Sequence, residues 1–323
     1  MADKYIYAVA RVRALEMSLF SQTTIEQLIA AKTYKESVQF LIEHGWGDSE
    51  TDHTDADAIL NVETEKTWAV IEEMVEDMSV FDVILLPDLF HNLKAAIKTI
   101  VAGEVNADIF YDNVAIDGKE MLEIVKNRDF KALPSYMQAC AEEAYECMTH
   151  TGDGQMCDVI IDKGTLLAIL EAADDAKDEL LKAYAETTVA VADIKIAVRS
   201  LKTAKSMDFM RRAMAPCKTL NIDRLAKAAL SGMEDIIKYL SETEYAGGAE
   251  ALANSSSAFE RWCDNRIIET IRPQKYNAFT VGPLVAYILA RLNEIKTVRI
   301  ILSGKLNGLP EEAIRERIRE MYV

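Results

Sequence analysis

Apolar residues recur along this chain at helical spacing. Val285, Ile288, Leu289, Leu292, Ile295, Val298 and Leu302 follow the i, i+3, i+4, i+7 pattern that draws one apolar stripe along a long helix. Gly304 and Gly308 stand where that helix should stop. Pro310 opens a last helix, with Glu311 and Glu312 in its first turn and Arg315, Arg317 and Arg319 after them, an order that complements the helix dipole. Two more stripes read the same way: Leu93, Ala96, Ile97 and Ile100, then Ile194, Ala197, Val198 and Leu201.

The three stripes are in register. Leu93, Ile194 and Ile295 are each 101 residues apart; Asn92, Asp193 and Glu294 precede them, and Lys94, Lys195 and Lys296 follow. The third copy carries Arg299 where the others have Ile97 and Val198. A second block repeats as well. Ile25 to Leu41 matches Met121 to Met137 without a gap, and Leu225, Tyr239 and Leu240 continue the set after a two-residue insertion. Equal spacing with shared flanks predicts three mostly helical repeats of about 100 residues, longer than the 20–50 residues of solenoid units. We place them at 1–105, 106–206 and 207–323. Polar connectors are expected at Gly45 to Asp57, at Ser241 to Ser257 with its paired glycines and its closing run of three serines, and at Arg272 to Pro283.

Composition agrees with an all-α chain. Hydrophobic residues make up 50 % of the 323, enough for a substantial core, whereas 13 glycines and 6 prolines are too few for a turn-rich β fold. The net charge of −17 disfavours nucleic acid as a partner. From Ser255 onward there are 11 basic and 8 acidic residues, so this part is +3 and the remainder −20. Five cysteines without a C-x-x-C pair read as reduced thiols, and Cys140 and Cys147, seven apart, as buried small residues on one helical face. Arg11, Arg13 and Glu16 fall where a signal peptide would need an apolar run. The longest uncharged apolar stretch, Phe279 to Ala290, contains Gly282 and Pro283 and is shorter than the ~20 residues of a membrane span. The expectation is a cytosolic chain, or one held at a membrane by a partner.

Candidate chemistry is sparse. Neither phosphate-loop glycine pattern occurs, nor a G-x-S-x-G elbow. Glu50 and His53 form one E-x-x-H, where a di-iron bundle needs two and two further glutamates. Glu146 and His150 share a helix face but lack a third ligand. Gly152-Asp153-Gly154 with Asp158 lacks the alternating carboxylates of a calcium loop and reads as a turn. Asp52, Asp55 and Asp57 read as solvated charge. No catalytic, metal or cofactor site is expected. The triplicated lysines have two readings: the solvent edge of three buried helices, or a contact made three times to one partner.

The run from Glu294 to Pro310 (EIKTVRIILSGKLNGLP) and the ending from Ile314 to Val323 (IRERIREMYV) resemble the closing signature of the C subunits of the archaeal and bacterial V/A-type ATPases, relatives of the eukaryotic vacuolar ATPase d subunit. Tyr5 to Ala14, Asp88 to Lys94 and Ile161 to Lys163 resemble the same family, so the likeness spans nearly the whole chain. At the middle helix Asp193 stands where the family pattern implies Asn. The resemblance implies an all-α fold of three similar helical subdomains around a pseudo-threefold axis, forming a funnel. It implies a non-catalytic central-stalk component, peripheral on the cytoplasmic face of the membrane without inserting into lipid. Such a component joins central shaft subunits of D and F type to a rotor ring of c/K-type proteolipids, coupling ATP turnover to proton or sodium transport. Lys94, Lys195, Lys296 and Arg299 are the candidate partner contacts. The alternatives are a soluble helical scaffold unrelated to a rotary motor, and a helical metalloenzyme around Glu50 and His53.

Overall fold

The structure, a computed structural model, describes residues 5–48, 50–52, 54–103 and 109–323. Among these residues there are helices and connecting turns and no strand. Sixteen α-helices follow one another among them: α1 (Ile6–Glu16), α2 (Gln22–Ala30), α3 (Tyr34–Glu43), α4 (Ala56–Glu72), α5 (Asp82–Ala102), α6 (Gly118–Asn127), α7 (Ser135–Thr151), α8 (Gly154–Ala176), α9 (Glu179–Lys202), α10 (Met207–Ala213), α11 (Ile222–Ser231), α12 (Met233–Ser241), α13 (Ala246–Asn254), α14 (Ser256–Ile271), α15 (Gly282–Leu306) and α16 (Glu311–Arg315).

Their starts are written locally. Ser21, Thr33, Asp55, Asp117, Asp153, Asp178, Ser206, Asn221 and Ser255 each sit at an N-cap and accept a backbone N–H from the first turn. Asp117 takes two, from Lys119 at 2.8 Å and Glu120 at 2.9 Å. Gly103 and Gly152 end α5 and α7 with φ of 76° and 66°, a left-handed turn that side chains with a Cβ resist.

The chain forms two compact units, Met1–Met78 with Tyr245–Val323, and Ser79–Glu244. In the first, α15 packs against α1, α2, α3, α4, α14 and α16. Ile295, Val298, Ile301 and Leu302 of α15 meet Ile25, Leu28, Ile29 and Leu41 of α2 and α3, and Ile314, Ile318 and Met321 close the same core. In the second unit, α5 packs against α6, α7 and α8, and α9 against α8, α10, α11 and α12. Thus each of the three anchor-bearing helices is covered by a pair of shorter ones: α15 by α2 and α3, α5 by α6 and α7, α9 by α11 and α12. The three anchors Leu93, Ile194 and Ile295 are all buried.

Some details differ from the pattern reading. Ser241 to Ser257, read as a connector, contains α13, because Gly247 and Gly248 lie so close to the Trp262 ring that a Cβ would stand 2.8 Å and 2.7 Å from it. The glycines there permit helix packing rather than breaking a helix. Gly304 lies inside α15 for the same reason, against Ile314, and the helix stops before Gly308, where φ is 65°. The last helix ends at Arg315, so Arg317 and Arg319 follow it in irregular chain. Cys140 and Cys147 are only half-buried, while Cys157 and Cys263 are buried.

Candidate functional site

Each long helix carries one fully buried polar side chain directly before its anchor: Asn92 on α5, Asp193 on α9 and Glu294 on α15. A buried polar group costs free energy unless hydrogen-bonded, so what each one holds is informative. Asn92 Oδ1 accepts the Tyr111 N–H at 2.8 Å, and its Nδ2 donates to the carbonyls of Tyr111 at 2.8 Å and Ile116 at 3.4 Å. Asp193 Oδ1 accepts the Ala215 N–H at 3.0 Å. Glu294 Oε2 accepts the Phe20 N–H at 3.3 Å. In all three cases the bonded segment leads into a short-helix pair, α6, α11 or α2. A side chain on the long helix thus pins the chain that enters the pair covering it. The 101-residue register marks these positions, but as plain polar residues beside the more conspicuous Lys94, Lys195 and Lys296.

Charge around the three differs. Asn92 is neutral and uses its whole amide. Burial pushes Asp193 up to about 7; only the Ala215 N–H and the charge of Lys163 oppose it, and Glu186 adds to the rise. Burial also raises Glu294 to about 7, against the pull of Arg291 and the Phe20 N–H. Arg291 bridges Glu294 at 2.6 Å and Glu63 of α4, and stacks over the Trp46 ring at 4.7 Å. Glu63 in turn accepts from Lys66 at 2.7 Å and from the Gly47 N–H at 2.9 Å. A buried ion network of this kind specifies how α4 and α15 meet more than it adds net stability.

The four candidate contact residues are placed as follows. Lys94 pairs with Asp162 of α8. Lys195 is half-buried on α9. Lys296 pairs with Asp264 of α14 at 2.8 Å, and the same carboxylate takes Arg319 at 2.7 Å. Burial works to raise Asp264, but these two cations outweigh it and hold its carboxyl below the usual range. Arg299 pairs with Asp57 at the start of α4 and borders a groove of about 500 Å³ with Ser303, Arg317 and Arg319. Lys94 and Lys195 lie in the second unit, Lys296 and Arg299 in the first.

The remaining candidate carboxylates and histidines are placed as follows. Asp55 caps α4, Asp57 is ion-paired, and Asp52 accepts from Thr54 at 2.9 Å. Glu50 is exposed in a turn, and His53 lies outside the described residues. Among the described residues no three His, Cys, Asp or Glu side chains converge in a way that would hold a metal ion. No helix among them is long and apolar enough to cross a membrane.

An all-helical chain whose long helices pin short-helix pairs through buried polar residues is a packing framework, and comparison with known proteins gives it a place. The family of ATP synthase (C/AC39) subunits matches residues 8–317, and the chain belongs to that family. It is 23 % identical to the C subunit of the V-type sodium ATPase of Enterococcus hirae, over 96 % of this chain and 97 % of that protein. It is 22 % identical to the C subunit of the A-type ATP synthase of Methanocaldococcus jannaschii, over 96 % and 85 % respectively.

Proposed function

We propose that the chain is a non-catalytic central-stalk component of a V/A-type rotary ATPase, seated on the cytoplasmic face of the membrane between the shaft and the rotor ring. The observation that carries this reading is the family match over residues 8–317, with nearly full-length coverage of relatives named as the C subunits of such complexes. D- and F-type shaft subunits on one side and c/K-type proteolipids on the other are the partners this role requires. A torque adaptor must be stiff and must not slip. Close-packed helices give stiffness, and polar contacts at separated points fix register.

The division at 1–105, 106–206 and 207–323 and its closure into a funnel belong to the same proposal. What supports the closure is the packing rule above, in which each stretch lends its pair to another's long helix: α5 of the first is covered by the pair of the second, α9 of the second by that of the third, and α15 of the third by that of the first. Lys94, Lys195, Lys296 and Arg299 remain the proposed partner contacts. Lys94, Lys296 and Arg299 are at least partly exposed and held by intramolecular ion pairs, and surface pairs of this kind are worth only about 0–1 kcal/mol, so an incoming carboxylate can replace the present partner.

The test is a tagged pull-down from detergent-solubilised membranes of the source cell, read by mass spectrometry. Recovery of shaft subunits with a small, very hydrophobic ring protein is the expected result. Soluble partners alone, with no ATPase component among them, would overturn the reading and favour a scaffold. Charge reversal at all four basic residues, with folding intact, is expected to weaken recovery of the complex; unchanged coupling removes them as contacts.

A further inference from the structure

The segment 214–220, between α10 and α11, is tied to α9 by two carboxylates of unequal provision. Glu186 Oε1 accepts three bonds: the Lys218 N–H at 2.7 Å, the Thr219 N–H at 2.7 Å and the Thr219 hydroxyl at 2.8 Å. Asp193, seven residues on and wholly enclosed, accepts one, from Ala215, and its Oδ2 has no partner among the described residues. Leu166, Val189 and Ala215 pack about this point, with Leu170, Ala192 and Cys217 against them. The nearby cation is engaged elsewhere: Lys163 of α8 donates to the Arg211 carbonyl of α10 at 3.0 Å.

We propose that Asp193 is a pH-sensitive latch: as the neutral acid it holds the entry to α11 against α9, and as the carboxylate it releases it.

The physical reason is the cost of an enclosed charge with one hydrogen bond, set beside the cost of a neutral acid in the same place. The Asn92 site provides the control. There the same office, pinning the chain before α6, is done by an amide that cannot ionise and whose oxygen and nitrogen are both bonded. The charged and titratable groups acting on Asp193 are Lys163 from α8, Glu186 from α9 itself and Cys217 from the latched segment; among the described residues nothing from α10, α11 or α12 contributes. Lys163 favours the carboxylate and Glu186 opposes it. Burial pushes Asp193 up to about 7 and the Cys217 thiol up to about 11, so the acid alone changes state near neutrality.

The direction follows from linkage. An acid whose pKa is higher folded than unfolded stabilises the closed segment fully below its unfolded value, and that contribution is lost as pH rises through the folded value. The latch therefore loosens from about pH 4 to 7 and changes no further above that. It is a property of the isolated chain and does not depend on the partners proposed above.

Hydrogen–deuterium exchange of the full-length chain between pH 5 and 8, corrected for intrinsic exchange rates, reads it directly. Protection in peptides covering 214–217 is expected to fall by up to about tenfold per pH unit between 5 and 7 and then level off. Peptides covering 109–117, pinned by Asn92, are expected to stay flat. Asp193→Asn keeps an acceptor for Ala215 and is expected to remove the pH dependence. The same decline in Asp193→Asn would overturn the latch. So would a flat profile across 214–217 in the wild-type chain, a result that needs no variant to fold.

Discussion

Replacing Arg291 by Met isolates what the buried network between α4 and α15 does. Met keeps most of the apolar stem and removes the guanidinium. Glu63 then still has Lys66 and the Gly47 N–H, but Glu294, fully buried, keeps only the Phe20 N–H at 3.3 Å. Removing one partner of a buried pair costs about 3–5 kcal/mol because the other charge is left uncompensated. With one hydrogen bond remaining and methionine filling the space, the lower end, about 3 kcal/mol, is expected at pH 8. At pH 5.5 the cost is smaller. Burial already holds Glu294 near 7, above its ordinary range, and loss of Arg291 raises it further. A raised carboxyl is protonated in the folded chain at pH 5.5, so what is lost there is the hydrogen bonds to Glu294 and Glu63 without an orphaned charge, on the order of 2 kcal/mol. The sign is fixed by linkage: stability associated with a raised acid is present at low pH and lost as pH rises through the folded value. The assay is denaturant unfolding followed by tryptophan fluorescence. Trp46, Trp68 and Trp262 all lie in the first unit, so the signal reports that unit alone. Equal destabilisation at the two pH values would refute the argument. So would an Arg291→Met, Glu294→Gln double variant no more stable at pH 8 than the single one, since removing the orphaned charge must restore part of the loss.

Three further outcomes follow from the packing. Gly248→Ala places a methyl against the Trp262 ring and should cost about 1–3 kcal/mol, with a shift in tryptophan emission. Asp117→Ala removes an N-cap that accepts two amides and should cost about 1 kcal/mol in thermal or denaturant unfolding. Burial pushes the Cys140, Cys157 and Cys217 thiols up to about 11, so alkylation mapped by mass spectrometry at pH 8 should be far slower at these three than at a free cysteine.

The helices were legible because what makes them is local. The stripe through Leu93, Ile194 and Ile295 reflects 3.6-residue periodicity, and caps such as Asp117 and Asn221 are bonded within three residues of themselves. α13 was not legible. Paired glycines among serines read as a break unless a tryptophan stands against them, and Trp262 is fourteen residues further on. The lysines show the limit of triplication as a signal. The register marks a conspicuous charged residue beside a plainer polar one, and it is the plainer one, Asn92, Asp193 or Glu294, that is buried and pins another segment.

By itself the sequence determined the all-helical class, the 101-residue register and, through its ending, the family. Each of these is carried by residues close together in the chain or by a pattern that needs no partner. Tertiary structure alone decided which polar residues carry weight. Glu63 and Arg291 lie 228 residues apart, and Glu294 meets Phe20 across 274. No local pattern pairs residues at such distances, because what couples them is their joint exclusion from water when α4 and the N-terminal turn close over α15. The same holds for Asp193. In the sequence it is one acid among 53 acidic residues, and only enclosure with a single donor makes its proton matter.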